Sequence, residues 1–284
     1  MNDRPEVAAL TQLLSEDVPS DTRQARQLAR RQDIAEAVMA EGSLRIEDLA
    51  ERFGISVMTA HRDIDELATR GLLRKTRGTV SAAPTSLVEA SDLYRQARQS
   101  GEKSVIAAAA AGLIEPGQAV FLDDSTTVQH MVPFLPERTP LTVITNSLSL
   151  MGMLADTRDV TLLGLGGKHH GWCNAFMGRM TVHEIAQLRA DAVFVSMPAV
   201  TDGMVFHQSA EMAETKRAML DAARRRVLLA DHTKFERRAL HAVAGLDEFD
   251  AVVTDDRLPR AQVDALRGRD LDVHVVPTRA GPGA

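Results

Sequence analysis

The 284-residue sequence predicts an α/β protein in two parts, a small helical domain followed by a larger domain built on an open parallel sheet. Three observations predict this. Between Arg26 and Gly71, apolar residues recur at helical spacing in three short segments punctuated by glycines. From Gly117 onward, short runs of Val, Leu and Ile alternate with helical stretches. The charge is also uneven: the chain carries a net −6, yet six Lys and Arg stand against three acids between Arg52 and Val80. A cationic patch on an acidic chain suits a small module that meets an anionic partner, joined to a domain that does not.

Composition narrows the class. With 44% hydrophobic and 25% charged residues, the chain reads as an ordinary soluble protein long enough for two domains. No apolar run reaches the roughly eighteen residues a membrane helix needs, so no membrane partner is expected. The start, MNDRPEVAALTQLLSEDVPSD, has acids throughout and no compact apolar stretch, unlike a signal peptide. Cys173 is the one cysteine, which rules out an internal disulfide and fits a reducing, cytoplasmic setting.

In order, residues 1–22 are polar and read as an N-terminal extension. A first helix is expected over Arg26–Ala40, with Ile34 and Val38 four apart and Gly42 just beyond its end. A second, IEDLAERF, places Ile46, Leu49, Ala50 and Phe53 on one face and stops at Gly54. A third starts at the N-cap Ser56, carries Val57, Ala60, Ile64 and Leu67 on one stripe, and is closed by Gly71. LLRKTRGTVSA then reads as two short strands around a basic, glycine-containing turn. Two helices, a glycine turn, a helix and a basic hairpin make a winged helix-turn-helix, here residues 23–81. Residues 82–101 read as a linker, and Leu87–Ile114 as helix in two pieces broken near Gly101.

On a helical wheel the third helix turns Met58, Thr59 and Arg62 away from the apolar stripe, with His61 on the flank. Ser56, Thr59 and Arg62 lie in its first turns, where the helix dipole favours phosphate, while Asp65 and Glu66 come later. That gradient suits insertion of the N-terminal end into DNA. The competing reading is a solvated surface helix with Arg62 paired to Glu66. Arg74, Lys75 and Arg77 in the hairpin favour DNA, because phosphate contacts from such a wing position the reading helix. The candidate DNA-binding residues are therefore Ser56, Met58, Thr59, His61, Arg62, Arg74, Lys75 and Arg77.

The stretch RRQDIAEAVMAEGSLRIEDLAERFGISVMTAHRDIDELATRGLLRKTRG resembles the N-terminal domain of the DeoR family of bacterial transcription regulators. The match runs through Ile55, Ser56, Met58, Thr59, Arg62, Asp63 and Ile64, then Leu67 and Gly71-Leu72-Leu73. Two positions depart. His61 stands where arginine is usual, and Gly78-Thr79 where paired glycines are common.

The apolar runs of the second part are AVFLD, LTVITN, VTLLGLGG, AVFVSM, RVLLAD, AVVTD and VHVV. Several lack alternation, as strands buried on both faces do, and strands alternating with helices imply a Rossmann-like parallel sheet over residues 102–276, before a tail at 277–284. Ligands of such sheets bind beyond the carboxyl ends of the strands. Polar clusters fall at those ends: Asp123, Asp124, Ser125, Thr126 and Thr127; Thr145, Asn146 and Ser147; Gly166, Gly167 and Lys168; Asp231 and Lys234. Glu211 and Lys216 follow on a helix and complete the candidate site for an anionic small molecule. Each cluster alone is also ordinary helix-capping chemistry.

The resemblance extends over this part, from Glu102-Lys103 to about Asp255. It is carried by the Phe121–Thr127 turn, Thr145–Ser147, Gly166-Gly167, the Glu211–Met219 stretch, Ala230–Phe235 and Arg238. It implies a domain similar to ribose-5-phosphate isomerase that binds phosphorylated sugars as effectors. Asp124-Ser125 replaces a small residue followed by Gly or Ser, and Pro198-Ala199 stands where many members have Asp-Gly. His169, His170, Cys173 and His207 raise a metal question, but adjacent histidines with one cysteine match no zinc spacing. A polar loop at the ligand mouth, with Trp172 over a sugar face or anchoring the loop, is the reading preferred, and no metal or cofactor is expected.

Together these expectations describe a DNA-binding regulator, a repressor of carbohydrate-metabolism genes, controlled by a phosphorylated sugar. Its partners would be double-stranded operator DNA, the effector, and further copies in a homodimer or homotetramer. Two alternatives stand beside it. One is a sugar-phosphate isomerase-like enzyme with an accessory DNA-binding domain, with Asp123, Asp124 or Glu211 as general base. The other is a metabolite-binding module whose N-terminal helices only dimerise it.

Overall fold

The computed structural model describes residues 27, 30–31, 33–35, 37–38, 43–69, 73–82, 95, 99–171, 173–269 and 271–278. The expected extension at 1–22, most of the linker, Gly71, Trp172 and the last six residues lie outside them. The chain divides into two units, Met1–Tyr94 and Arg95–Ala284.

In the first unit the described residues between 27 and 38 are helical (α1) and bury Ile34 and Val38. Next come β1 (Ser43–Arg45), α2 (Ile46–Arg52), α3 (Val57–Thr69), β2 (Leu73–Thr76) and β3 (Thr79–Ala82). Ile34, Val38, Ile46, Leu49, Ala60, Ile64, Leu67, Leu73 and Val80 form one core, so helices and hairpin share it. The hairpin turn is Arg77-Gly78, with φ of 37° and 82°. Two successive positive φ values match the twist a two-residue hairpin needs. β1 was not expected; it pairs antiparallel with β3, giving the order β1-β3-β2. Val57 corrects the apolar stripe: it is 43% exposed and outside the core.

The second unit begins at Arg95 and includes α4 (Ser100–Ala111), which starts after a left-handed Gln99 and carries Gly101 in its first turn. Its main sheet holds β4 (Ala119–Leu122), β5 (Leu141–Thr145), β6 (Val160–Gly164), β9 (Ala190–Val195), β12 (Ala223–Leu229), β14 (Ala251–Asp255) and β15 (Asp272–Val276). These are the seven expected runs, in the order β15-β14-β12-β9-β4-β5-β6, and every pairing is parallel. Phe121 points into one core while Val120 and Leu122 point into the other, so β4 is covered on both faces, as its unbroken apolar run requires. β6 is an edge strand, with Thr161, Leu163 and Gly164 exposed.

From β4 the chain first adds strands on one side (β5, β6), then on the other (β9, β12, β14, β15). The β4/β9 boundary is therefore the switch point where such sheets leave a crevice. Helices α5 (Thr126–Gln129), α6 (Leu148–Leu154), α7 (Arg179–Ala186), α8 (Ala210–Asp221) and α9 (Arg260–Arg267) connect the strands. Two features went unread: the hairpin of β7 (Lys168–His170) and β8 (Ala175–Met177), and a small sheet of β10 (Ala199–Thr201), β11 (Met204–His207) and β13 (His241–Gly245).

Candidate functional site

In the first unit, Ser56 caps α3. Its Oγ accepts from the Thr59 amide at 3.1 Å and lies 2.8 Å from Thr59 Oγ1. Met58 and Arg62 are exposed, while Thr59 and His61 are half-buried. Arg62 forms no ion pair with a described residue; Glu66, its expected partner on a merely solvated helix, faces Arg31 at 4.0 Å. Asp63 is buried, and its carboxylate receives Arg30 Nε at 2.8 Å and Arg31 Nε at 2.9 Å. Burial alone would raise its pKa, but the two guanidinium hydrogen bonds outweigh that and hold it below the usual carboxylate range. Asp63 thus fixes α3 to α1 from beneath, leaving the opposite face open. Lys75 Nζ reaches Asp65 Oδ1 at 2.6 Å, which ties the wing to α3 and matches part of the wing's charge. Arg77, at the tip of the turn, is exposed; the Arg74 side chain lies outside the described residues.

In the second unit the switch point holds a closed polar cluster. Asp123 Oδ1 accepts from the Ser125 amide at 2.9 Å and Ser125 Oγ at 2.5 Å; Oδ2 accepts from the Ser196 amide at 3.0 Å and Lys216 Nζ at 2.5 Å. Lys216 also lies 3.2 Å from Asp124 and donates to the Ser196 carbonyl at 3.3 Å. The Lys216 charge is thus met by two carboxylates. Thr145 Oγ1 accepts from the Ser147 amide at 3.1 Å, and Ser147 Oγ caps α6 through the Leu150 amide at 3.3 Å. Those hydroxyls hold the backbone locally. Thr127 is buried. Gly167 answers to packing, since a Cβ there would meet Thr181 Oγ1 at 2.2 Å at a φ of +146°. Gly166 contributes its carbonyl to Thr181 Oγ1 at 2.8 Å, and Lys168 is exposed on β7.

A second cluster lies beside the first; Thr126, Asp231 and Lys234 were expected in the site, but Lys103 was not. Lys103 of α4 is buried, and its Nζ donates to Thr126 Oγ1 at 2.9 Å and to the Arg95 carbonyl. Its pKa is pushed down to about 7 by burial, then by the like charges of Lys234, Arg95 and Arg237, with Asp231 opposing. Asp231 accepts from the Thr233 amide at 3.0 Å and from Thr233 Oγ1 at 2.5 Å. Burial works to raise its pKa, but Lys234, the Thr233 hydroxyl, Arg237 and Lys103 prevail and hold it low. The one signal for Lys103 in the sequence was a charged pair, Glu102-Lys103, opening an otherwise alanine-rich apolar helix. Glu102 is used separately, by Arg257 Nη1 at 2.6 Å.

The histidine loop divides. His170 Nε2 lies 3.1 Å from Glu211 Oε2, and burial lowers its pKa against the pull of that carboxylate. His169 turns to Asn174 Oδ1 at 3.0 Å, Cys173 is buried against the His170 carbonyl, and His207 accepts from the Ser209 amide at 3.0 Å. Among the described residues no His, Cys, Asp and Glu group is arranged to hold a metal ion.

Residues 30–85 match the DeoR-like helix-turn-helix domain, and residues 98–256 match the DeoR C terminal sensor domain. The chain is 29% identical over 251 residues to the glycerol-3-phosphate regulon repressor of Escherichia coli, covering 88% of this chain and 99% of that one. It is 33% identical over 229 residues to the lactose phosphotransferase system repressor of Staphylococcus aureus, covering 80% and 91%. Among solved structures, ribose 5-phosphate isomerase A of Methanocaldococcus jannaschii shares 15% identity at a TM-score of 0.35, over 47% of this chain and 53% of that one.

Proposed function

The chain belongs to the DeoR family of DNA-binding transcription regulators, and from that premise we propose that it represses carbohydrate-metabolism genes and senses a phosphorylated sugar at the strand ends of its sensor unit. The observation that carries the effector class is Lys103. Its ammonium is buried beside Lys234, Arg95 and Arg237 with Asp231 opposing them, a cationic side of the site against which a phosphate would be held. The names of the two relatives, a glycerol-3-phosphate regulon repressor and a lactose phosphotransferase system repressor, agree with that class.

Ser56, Met58, Thr59, His61 and Arg62 would meet DNA bases and backbone, and Arg74, Lys75 and Arg77 the flanking phosphates. Reading paired half-sites would call for a homodimer or homotetramer, and meeting operator DNA would put the chain in the cytoplasm. Effector and operator affinities must then be coupled reciprocally. The test is operator binding by fluorescence anisotropy with and without phosphorylated sugars. A shift in DNA affinity with one of them is expected; the same affinity throughout would contradict the reading.

A further inference from the structure

Beside its cationic cluster, the strand-end site has an anionic side that a phosphate does not explain. Asp123 and Asp124 share the single ammonium of Lys216, at 2.5 and 3.2 Å, and none of the three side chains is more than 2% exposed. Asp123 has both oxygens filled by the donors described above. Asp124 does not: its Oδ1 is buried with no hydrogen-bond donor in place, only the longer approach of Lys216. Asn146 Oδ1 is a second buried acceptor without a donor.

The topology brings these groups around one another. β4 and β5 pair in parallel with Phe121 opposite Ile144, so Asp124 and Asn146 follow at adjacent strand ends. Asn146 is pinned to β8, its Nδ2 donating to the Phe176 carbonyl at 3.0 Å. The partner strand β7 carries His170, which meets Glu211, and Glu211 shares α8 with Lys216. The circuit from Asp124 through Lys216, Glu211, His170 and Asn146 closes on β5 beside β4. Two carboxylates and one ammonium lie on it, with Asp123 beside them on the same ammonium.

We propose that Asp124 receives an ammonium group of the effector, which makes that effector a phosphorylated amino sugar. The inference rests on the sugar-phosphate reading above. The phosphate sits against Lys103 and Thr126, and the amine against Asp124, two residues away and within about 7 Å along the chain. A ligand hydroxyl would give Asp124 a hydrogen bond without meeting its charge, for which Lys216 is shared with Asp123. An ammonium corrects both deficits. A second phosphate or a carboxylate at this end would face like charge and be rejected.

The test is calorimetric titration of the full chain with matched probes: glucosamine and glucose 6-phosphates, galactosamine and galactose 6-phosphates, fructose 1,6-bisphosphate and inorganic phosphate. At least one amino sugar phosphate should bind about tenfold or more tighter than its hydroxyl twin, the worth of a charge-assisted hydrogen bond. Asp124→Asn, isosteric and neutral, should abolish that preference. Equal binding of the twins, a preference that survives Asp124→Asn, or binding of inorganic phosphate without any amino sugar phosphate would overturn the inference. Should Asp124→Asn fail to fold, the wild-type comparison of twins decides alone. If neither inorganic phosphate nor any sugar phosphate binds, the sugar-phosphate reading falls with it.

Discussion

The ammonium of Lys103 donates to the hydroxyl of Thr126 across 2.9 Å, and both side chains are buried at the end of β4. A buried lysine with three cationic neighbours holds its proton weakly, which is why its pKa falls to about 7 from the ordinary 10.5. Between those two values the unfolded chain keeps a proton that the folded chain has released. Stability from this group therefore rises with pH across that window, and its full penalty is present below it.

A phosphate beside Lys103 would restore the proton, so effector binding above neutrality should take one up. Affinity should then fall as pH rises from 7, by up to about tenfold per unit, until the pKa of the bound state is reached. Calorimetry in buffers of different ionisation enthalpy reads the proton directly. Lys103→Met should flatten the profile; an unchanged profile in that variant would remove Lys103 from the site.

Asp63→Ala should destabilise the first unit by about 3–5 kcal/mol, nearer the lower figure because Arg30 and Arg31 keep partial contact with water. Because the Asp63 pKa is depressed, its contribution is whole above the unfolded carboxyl value of about 4 and is lost as pH falls below it. Urea melts of the variant against wild type at neutral and acid pH measure both. A loss under 1 kcal/mol would mean that the Arg30–Asp63–Arg31 arrangement does not hold α3 in place.

Arg62→Ala should weaken binding to a cognate operator by about 1–3 kcal/mol and relax specificity at one base position. Equal losses on cognate and random DNA would reassign Arg62 to phosphate. No loss on either would remove α3 as the reading element.

Arg77→Ala should reduce the slope of log K against log salt by about 0.9, the share of one phosphate contact. Lys75→Ala should change the slope less, because Lys75 is already bound to Asp65 at 2.6 Å. The opposite ranking would show that the wing tip stays away from DNA.

Much of this was legible in the sequence, for a physical reason. A strand buried on both faces must be an unbroken apolar run, and all seven runs became strands of the main sheet. The β7–β8 hairpin carries Lys168-His169-His170 and has no such run, so only long-range pairing reveals it. Val57 fell on the apolar stripe by periodicity, yet the first turn of α3 projects beyond the core. The role of Asp63 went unread because its partners lie 32 and 33 residues away on α1. At the site, strand-end chemistry pointed to the Asp123–Thr127 turn and to Lys216. Which lysine is matched by carboxylates and which is crowded by cations depends on side chains from β4, α4 and α8 meeting in space, and no local spacing encodes that.

The most direct measurement is operator affinity of the full chain, titrated with phosphorylated sugars, for wild type and Thr126→Val. The wild type should change its DNA affinity by about 5- to 150-fold with its effector, the range of ordinary allosteric coupling. Thr126→Val, which keeps the shape and removes the hydroxyl, should bind the operator as before and lose most of that response. A variant that responds like wild type would contradict the assignment of this site to the effector.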